Sequence, residues 1–204
     1  ALLAKVSKNL KIKYEDVKID KTTSINYDDK TTFFVITYIA KKWKPGIENW
    51  EENDGDYIER IYVFVNKSTA QIIDKVIDKN SSVYENEAVI LEKTEILKNL
   101  VQINEVNSGV ALSTFYYVNS HMVGYAETKL TILTLAGNRL KKLLYEYPIG
   151  IENSDSIDGI YYSEAVNTKI SISNRETNGF FDLKVTKTFQ YEEGKEEDVE
   201  NQNY

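Results

Sequence analysis

The sequence predicts a mainly β protein, built from consecutive antiparallel hairpins in a propeller-like or sandwich arrangement. Three observations point there. First, a unit of strand, tight turn and strand recurs: LTILTL runs into Ala136-Gly137-Asn138-Arg139 and returns as LKKLLYEYPI. IYVFV, Asn66–Ala70 and QIIDKVI form another copy, and KISIS, the turn-rich stretch Asn174–Gly179 and FFDLKVTKTFQY form a third. Second, the chain has 15 tyrosines and only 2 prolines, and Tyr suits a pleated, half-buried surface. Third, apolar residues alternate at a period of two far more often than they recur at 3.6.

In chain order, residues 1–10 predict a mobile arm or a short helix. Ile12 to Ile19 alternates and reads as a strand, and Asp28-Asp29-Lys30 is a polar turn. Phe33 to Ile39 is apolar at nearly every position, so a central strand covered on both faces is expected. Lys44 to Asp56 is the longest irregular segment; its Pro45-Gly46 and Asn53-Asp54-Gly55-Asp56 are loop chemistry. Arg60–Val65 and Gln71–Ile77 form the first hairpin, and Glu87–Leu91 is a strand. Glu92–Leu100 fits either a helical turn or a strand. Val110–Val118 is a strand, Asn119–Gly124 a turn, and the second hairpin follows. Asn153–Gly159 reads as a loop, Ile160–Ser173 as one or two strands before the third hairpin, and the last strand reaches Tyr191. One β domain over 1–191 is expected, with an acidic disordered tail over 192–204. Within the domain, 31–78 and 109–149 resemble each other as an internal repeat, with hairpins offset by about 69 residues.

The totals bound the function. A chain of 204 residues, 42% hydrophobic, can bury a core without disulfide or metal. It has no cysteine, which removes disulfides, zinc–thiolate sites and Cys nucleophiles. No run approaches the ~18 apolar residues of a membrane span. The net charge of −7 is concentrated. Residues 48–60 and 192–200 each carry six acids and one base, net −5 apiece, so the rest of the chain is net +3. No basic stripe with interleaved aromatics is present, which argues against nucleic acid.

Candidate chemistry is sparse. His121 is the single histidine, so a Ser–His–Asp triad would have to use it, and no G-x-S-x-G accompanies it. Carboxylate pairs suit glycoside hydrolysis, but 32 acids place pairs together by chance, and a hydrolase would hide among them. No cofactor is expected. Calcium is the one ion worth testing, at Glu52–Asp56 and Asp155–Gly159, and the EF-hand register fails at both. With Gly55 at position six, positions one and twelve are Trp50 and Ile61; with Gly159 there, they are Ser154 and Ala165. The acidic loop instead combines Glu51, Glu52, Asp54 and Asp56 with the aromatics Trp43, Trp50 and Tyr57. Such a set suits a contact surface for a partner, or sugar stacking; the aromatics equally suit core staples that fold the loop down.

Thr177-Asn178-Gly179-Phe180-Phe181-Asp182-Leu183-Lys184-Val185 resembles the NGYYDLxV ending of small exported bacterial proteins of propeller-like build. Those include periplasmic lysozyme inhibitors and the immunity proteins that neutralise secreted cell-wall-degrading toxins. In this reading Asn178-Gly179 makes the turn, Phe181, Leu183 and Val185 face the core, and Asp182 and Lys184 face out. The resemblance implies a non-enzymatic, periplasmic or extracellular binding protein that inhibits a toxin or cell-wall hydrolase. The start at Ala1 is what processing after a signal peptide would leave, and equally what trimming of a longer chain would leave. The partner would be basic, steered by the acidic loop. A carbohydrate or cell-surface binding module is the other expectation.

Overall fold

The computed structural model describes residues 2–42, 55–84, 89–118, 123–157 and 160–195. One helix, α1 (Leu2–Leu10), precedes eleven strands among these residues. They are β1 (Thr23–Asn26), β2 (Thr31–Lys41), β3 (Tyr57–Asn66), β4 (Ile72–Tyr84), β5 (Val89–Ile96), β6 (Val101–Gln102), β7 (Ser108–Val118), β8 (Val123–Ala136), β9 (Arg139–Ile157), β10 (Ile160–Thr177) and β11 (Phe180–Lys195). All pairings are antiparallel. The smaller sheet runs β1-β2-β3-β4; the larger runs β11-β10-β9-β8-β7-β5, with β6 also on β7. Neither closes into a barrel, and the described residues form no propeller.

The layers follow from alternation. In β2, Phe34 and Ile36 face α1, where they meet Val6, Leu10, Ile61, Val63 and Val65. Phe33 and Val35 face the other way and pack with Tyr62 and Phe64 against Val110, Leu112 and Leu133 of the larger sheet. The smaller sheet is thus the middle layer, and β2 is covered on both faces as expected. A third cluster lies elsewhere on the larger sheet. There Ile103, Ala111, Leu130 and Ile132 are covered by Val101, Ile170 and Phe180. The β10–β11 tip bends over to do this, donating from Phe181 N to Ile103 O at 2.8 Å.

α1 forms because Leu2, Leu3, Val6 and Leu10 make one apolar stripe. It ends in a Schellman motif: Ile12 N bonds Ser7 O at 2.9 Å and Lys11 N bonds Lys8 O at 3.1 Å. Lys11 adopts φ 62° to do so, a position usually held by Gly. Two hairpin turns have both central residues at positive φ: Gly137 (56°) with Asn138 (63°), and Asn178 (54°) with Gly179 (81°). These are type I′ dihedrals, whose twist matches the flanking strands.

Several expectations are corrected. Ile12–Ile19 is not a strand; it folds into short 3-10 turns at Tyr14–Asp16 and Ile19–Lys21, with one bridge from Val17 to Tyr38. Its alternation misleads because Tyr14 and Ile19 are exposed, while the inward residues Ile12 and Val17 stand five apart. Asn153–Ile157 is strand, not loop, paired to Glu164–Ile160 on one side and, from Asn153 to Asp155, to β8 on the other. Neighbouring strands supply the ladder there, so turn-forming side chains are simply carried on the sheet. β10 likewise continues to Thr177, with an irregularity between Ile172 and Glu176, and the turn shrinks to Asn178-Gly179. Leu183 (37% exposed) and Val185 (41% exposed) do not face a core, because among the described residues no layer covers β11 there. Glu92–Leu100 resolves as strand to Ile96. Pairing extends four residues into the acidic tail segment, to Lys195; 196–204 lie outside the described residues. The two repeat segments each form a three-stranded meander, β2-β3-β4 and β7-β8-β9. Their turns differ: in the first, Asn66 O accepts from Ala70 N at 2.8 Å across a longer connection.

Two substitutions test the backbone assignments. Lys11→Gly should stabilise the fold by about 0.5–1 kcal/mol, the ~1–2 kcal/mol of left-handed strain relieved less the extra freedom of Gly in the unfolded chain. Gly179→Val should destabilise by roughly 1–3 kcal/mol. A Cβ there meets nothing within 4 Å, so the cost comes from the backbone alone. Denaturant titration reads both, and a neutral Gly179→Val would refute the turn.

Candidate interaction surfaces and the buried charge cluster

The acidic loop joins β2 to β3. Trp43, Trp50, Glu51, Glu52 and Asp54 lie outside the described residues, as does His121. Asp56 and Tyr57 are partly buried at the start of β3, where Tyr57 pairs with Lys41 and Tyr84. β4 ends at Tyr84 and β5 begins at Val89 opposite Val118, so the loop base and this end of the larger sheet are neighbours in the chain path. Among the described residues no three His, Cys, Asp or Glu side chains group as metal ligands. Of the second calcium candidate, Asp155 is an exposed strand residue and 158–159 lie outside the described residues.

A set of polar groups that the sequence reading passed over lies between the sheets. β3 alternates Ile58, Arg60, Tyr62, Phe64 toward the larger sheet, so Arg60 occupies a core position and is fully buried. Asp78 stands directly opposite on β4, also fully buried. Arg60 Nε donates to Asp78 Oδ2 at 3.0 Å, and Nη2 donates to the same oxygen. Nη1 reaches into the larger sheet, to Thr94 and, at 3.2 Å, to Thr114, which are themselves cross-strand partners. Asp78 further accepts from Tyr62 at 2.7 Å and from Tyr145 of β9. Glu146 Oε1, accepting from Tyr116 at 3.2 Å, lies 4.0 Å from the guanidinium.

The electrostatics close on themselves. Burial works against charge on Arg60, but Tyr62, Asp78 and Tyr116 outweigh it and hold the guanidinium protonated more firmly than usual. Burial pushes the Asp78 carboxyl up; the Arg60 charge and the Tyr145 and Tyr62 hydroxyls pull it down further, so it lies below its ordinary range. Burial first, then nearby carboxylates, raise the phenols of Tyr116 and Tyr145. The centre of the cluster, at Arg60, Tyr62, Asp78, Thr94 and Thr114, is shut from solvent, with Tyr145 and Glu146 half-buried at its edge. It ties β3 and β4 to β5, β7 and β9.

The exposed surface lies lower on the larger sheet, across β8–β11. Directly opposed antiparallel residues share a face, which puts three rows side by side. They are Glu127–Ile151–Val166–Phe189, Tyr125–Asn153–Glu164–Tyr191, and Asp155–Tyr162–Glu193. Phe189 is 73% and Tyr191 57% exposed. Tyr191 donates to Glu193 at 3.0 Å and Tyr125 to Glu127 at 3.1 Å. Burial, then Glu127, raises the Tyr125 phenol. Lys129 pairs with Glu127 at 3.2 Å. The face therefore carries four carboxylates among aromatic and aliphatic side chains.

Sequence reasoning missed both features. The signal for the cluster was present: Arg60 opens a hairpin strand and falls in the apolar row of that strand. The face had no local signal, because its rows come from four strands and depend on register. Comparison of the chain with protein-family models, with curated proteins and with solved structures finds no match. The resemblance of Thr177–Val185 therefore rests on its own nine residues.

Replacing Asp78 by Asn should cost about 3–5 kcal/mol, because it leaves Arg60 buried without a counter-charge. Asp78 titrates lower when folded than its unfolded value of about 3.9. Its contribution is thus present above about pH 4 and lost as pH falls through the folded value. Acid titration of wild type against Asp78→Asn checks this: the wild type should lose stability below about pH 4 more steeply than the variant.

Proposed function

We propose that this protein is a non-catalytic binding protein for a basic protein partner, acting outside the cytoplasm as an inhibitor or immunity protein against a toxin or cell-wall hydrolase. The observation that carries the reading is the β8–β11 face, where Glu127, Asp155, Glu164 and Glu193 alternate with Tyr125, Tyr162, Phe189 and Tyr191. Acids steer a cationic partner and raise its association rate, and exposed aromatics provide anchors. By composition, Trp43, Trp50, Glu51, Glu52, Asp54, Asp56 and Tyr57 are the second candidate contact set. The strand layers suit a sandwich of two sheets, with α1 on the outer face of the smaller, better than a propeller, because the two sheets share one core. Toxin and export enter from the Thr177–Val185 resemblance alone.

A carbohydrate-binding module is the second reading, favoured by the exposed rings of Phe189 and Tyr191.

Affinity capture from secreted and cell-wall proteins of the source organism, with the full chain as bait, tests the first reading. A cationic protein should be recovered. Trp50→Ala and Phe189→Ala should each weaken it, by about 2 kcal/mol or more for an anchor. Reversing Glu51 and Glu52 should chiefly slow association and flatten its salt dependence. Recovery of polysaccharide alone would favour the module. A protein partner indifferent to every one of these variants would leave the function standing and remove the site.

A further inference from the structure

Among the described residues β11 is the outermost strand of the larger sheet, and its one strand partner is β10. Every residue from Leu183 to Glu193 is exposed. That stretch includes Leu183, Val185, Phe189 and Tyr191, with Phe189 the most exposed of them. A long, open edge bearing apolar side chains is a template for another strand, and lysines are a usual guard against it. Here the guard is lopsided. Lys184 and Lys187 occupy the first half of the exposed stretch, and Glu192 and Glu193 the second. A strand that is basic in one half and acidic in the other repels a parallel copy and complements an antiparallel one.

We propose that two copies of this chain associate through β11, antiparallel about a two-fold axis at Thr188, joining their larger sheets into one. In an antiparallel pair, opposed residues must share a face, so a symmetric register centres on a residue. Centring on Thr188 sets Lys184 opposite the partner's Glu192, and symmetry repeats the pair. The same register sets Val185 opposite the partner's Tyr191, and Lys187 opposite the partner's Phe189, where an ammonium can sit against a ring. Centring on Lys187 would bring two ammonium groups face to face. Centring on Phe189 would leave Lys184 opposite Gly194. The Thr188 register alone of these three opposes a Lys to a Glu; the edge hydrogen bonds are met equally in all three.

Sedimentation equilibrium of the full chain over a range of concentrations tests this. Wild type should reach a dimer that weakens with added salt. Lys184→Glu and Glu192→Lys should each weaken it about tenfold or more, since each places two like-charged pairs in register. The double variant K184E/E192K should dimerise again. An equimolar mixture of the two single variants should form a heterodimer where neither alone dimerises. Matching thermal melts at low concentration show that the variants keep their fold. A monomeric wild type overturns the proposal. So does a dimer indifferent to the single variants, and so does failure of both the double variant and the mixture to restore association.

Discussion

Arg60 is a full positive charge in the middle of an apolar core, and the arrangement of both sheets follows from where its hydrogen bonds go. A buried guanidinium left without partners costs several kcal/mol. Its partners come from β4, β5 and β7, with Glu146 of β9 close by. These strands belong to different sheets, so the cluster sets how one sheet sits on the other. Apolar surfaces slide with little penalty, since burial is non-directional. A guanidinium with directional donors does not, and a shift of register between the sheets would strand it. The cluster therefore supplies specificity of packing, while Phe33, Val35, Tyr62, Phe64, Val110, Leu112 and Leu133 around it supply the burial.

A second tie repeats the logic at a distance from the cluster. Tyr27 packs edge-on against Phe64 with ring centroids 5.0 Å apart, and its hydroxyl donates to Ser108 O of β7 at 2.6 Å. Asp74 of β4 accepts from Leu140 N of β9 at 2.8 Å. Both ties run from the smaller sheet to the larger one. The interface between sheets is thus pinned at several points by polar groups that reach across an apolar layer.

Beyond that interface the larger sheet continues without a covering layer among the described residues. β8, β9, β10 and β11 are long strands, and only their upper parts meet the smaller sheet or the β10–β11 tip. The lower parts carry acids, hydroxyls and aromatics that are half-buried or exposed on β8, β9 and β10 and most exposed on β11. A sheet can do this because its backbone groups are satisfied laterally and need no second layer. The same economy leaves β11, among the described residues, with one edge unpaired. The packed half of the molecule holds the register on which the rest of the larger sheet depends.

Much of the fold was legible in the chain itself. Alternation in IYVFV, LTILTL and KISIS marks strands, and Gly137-Asn138 and Asn178-Gly179 mark type I′ turns, because these signals are local. The doubly covered strand around Phe33–Ile39 was legible for the same reason, as an unbroken apolar run. Local signals failed where neighbours overrule them: Asn153–Ile157 has the side chains of a loop and the hydrogen bonds of a strand. They also failed at Ile12–Ile19, where alternation exists without a lateral partner beyond one bridge. The candidate loop was legible as composition only. Pairing of Arg60 with Asp78, Thr94 and Thr114 joins residues 18, 34 and 54 positions apart. The rows of the β8–β11 face span more than sixty residues of chain. Sequence by itself determined which segments become strands and where tight turns fall, since those depend on a few adjacent side chains. Only the tertiary structure decided which strands pair, in what register, and which side chains therefore meet, because register is set by contacts between segments that are remote in the chain.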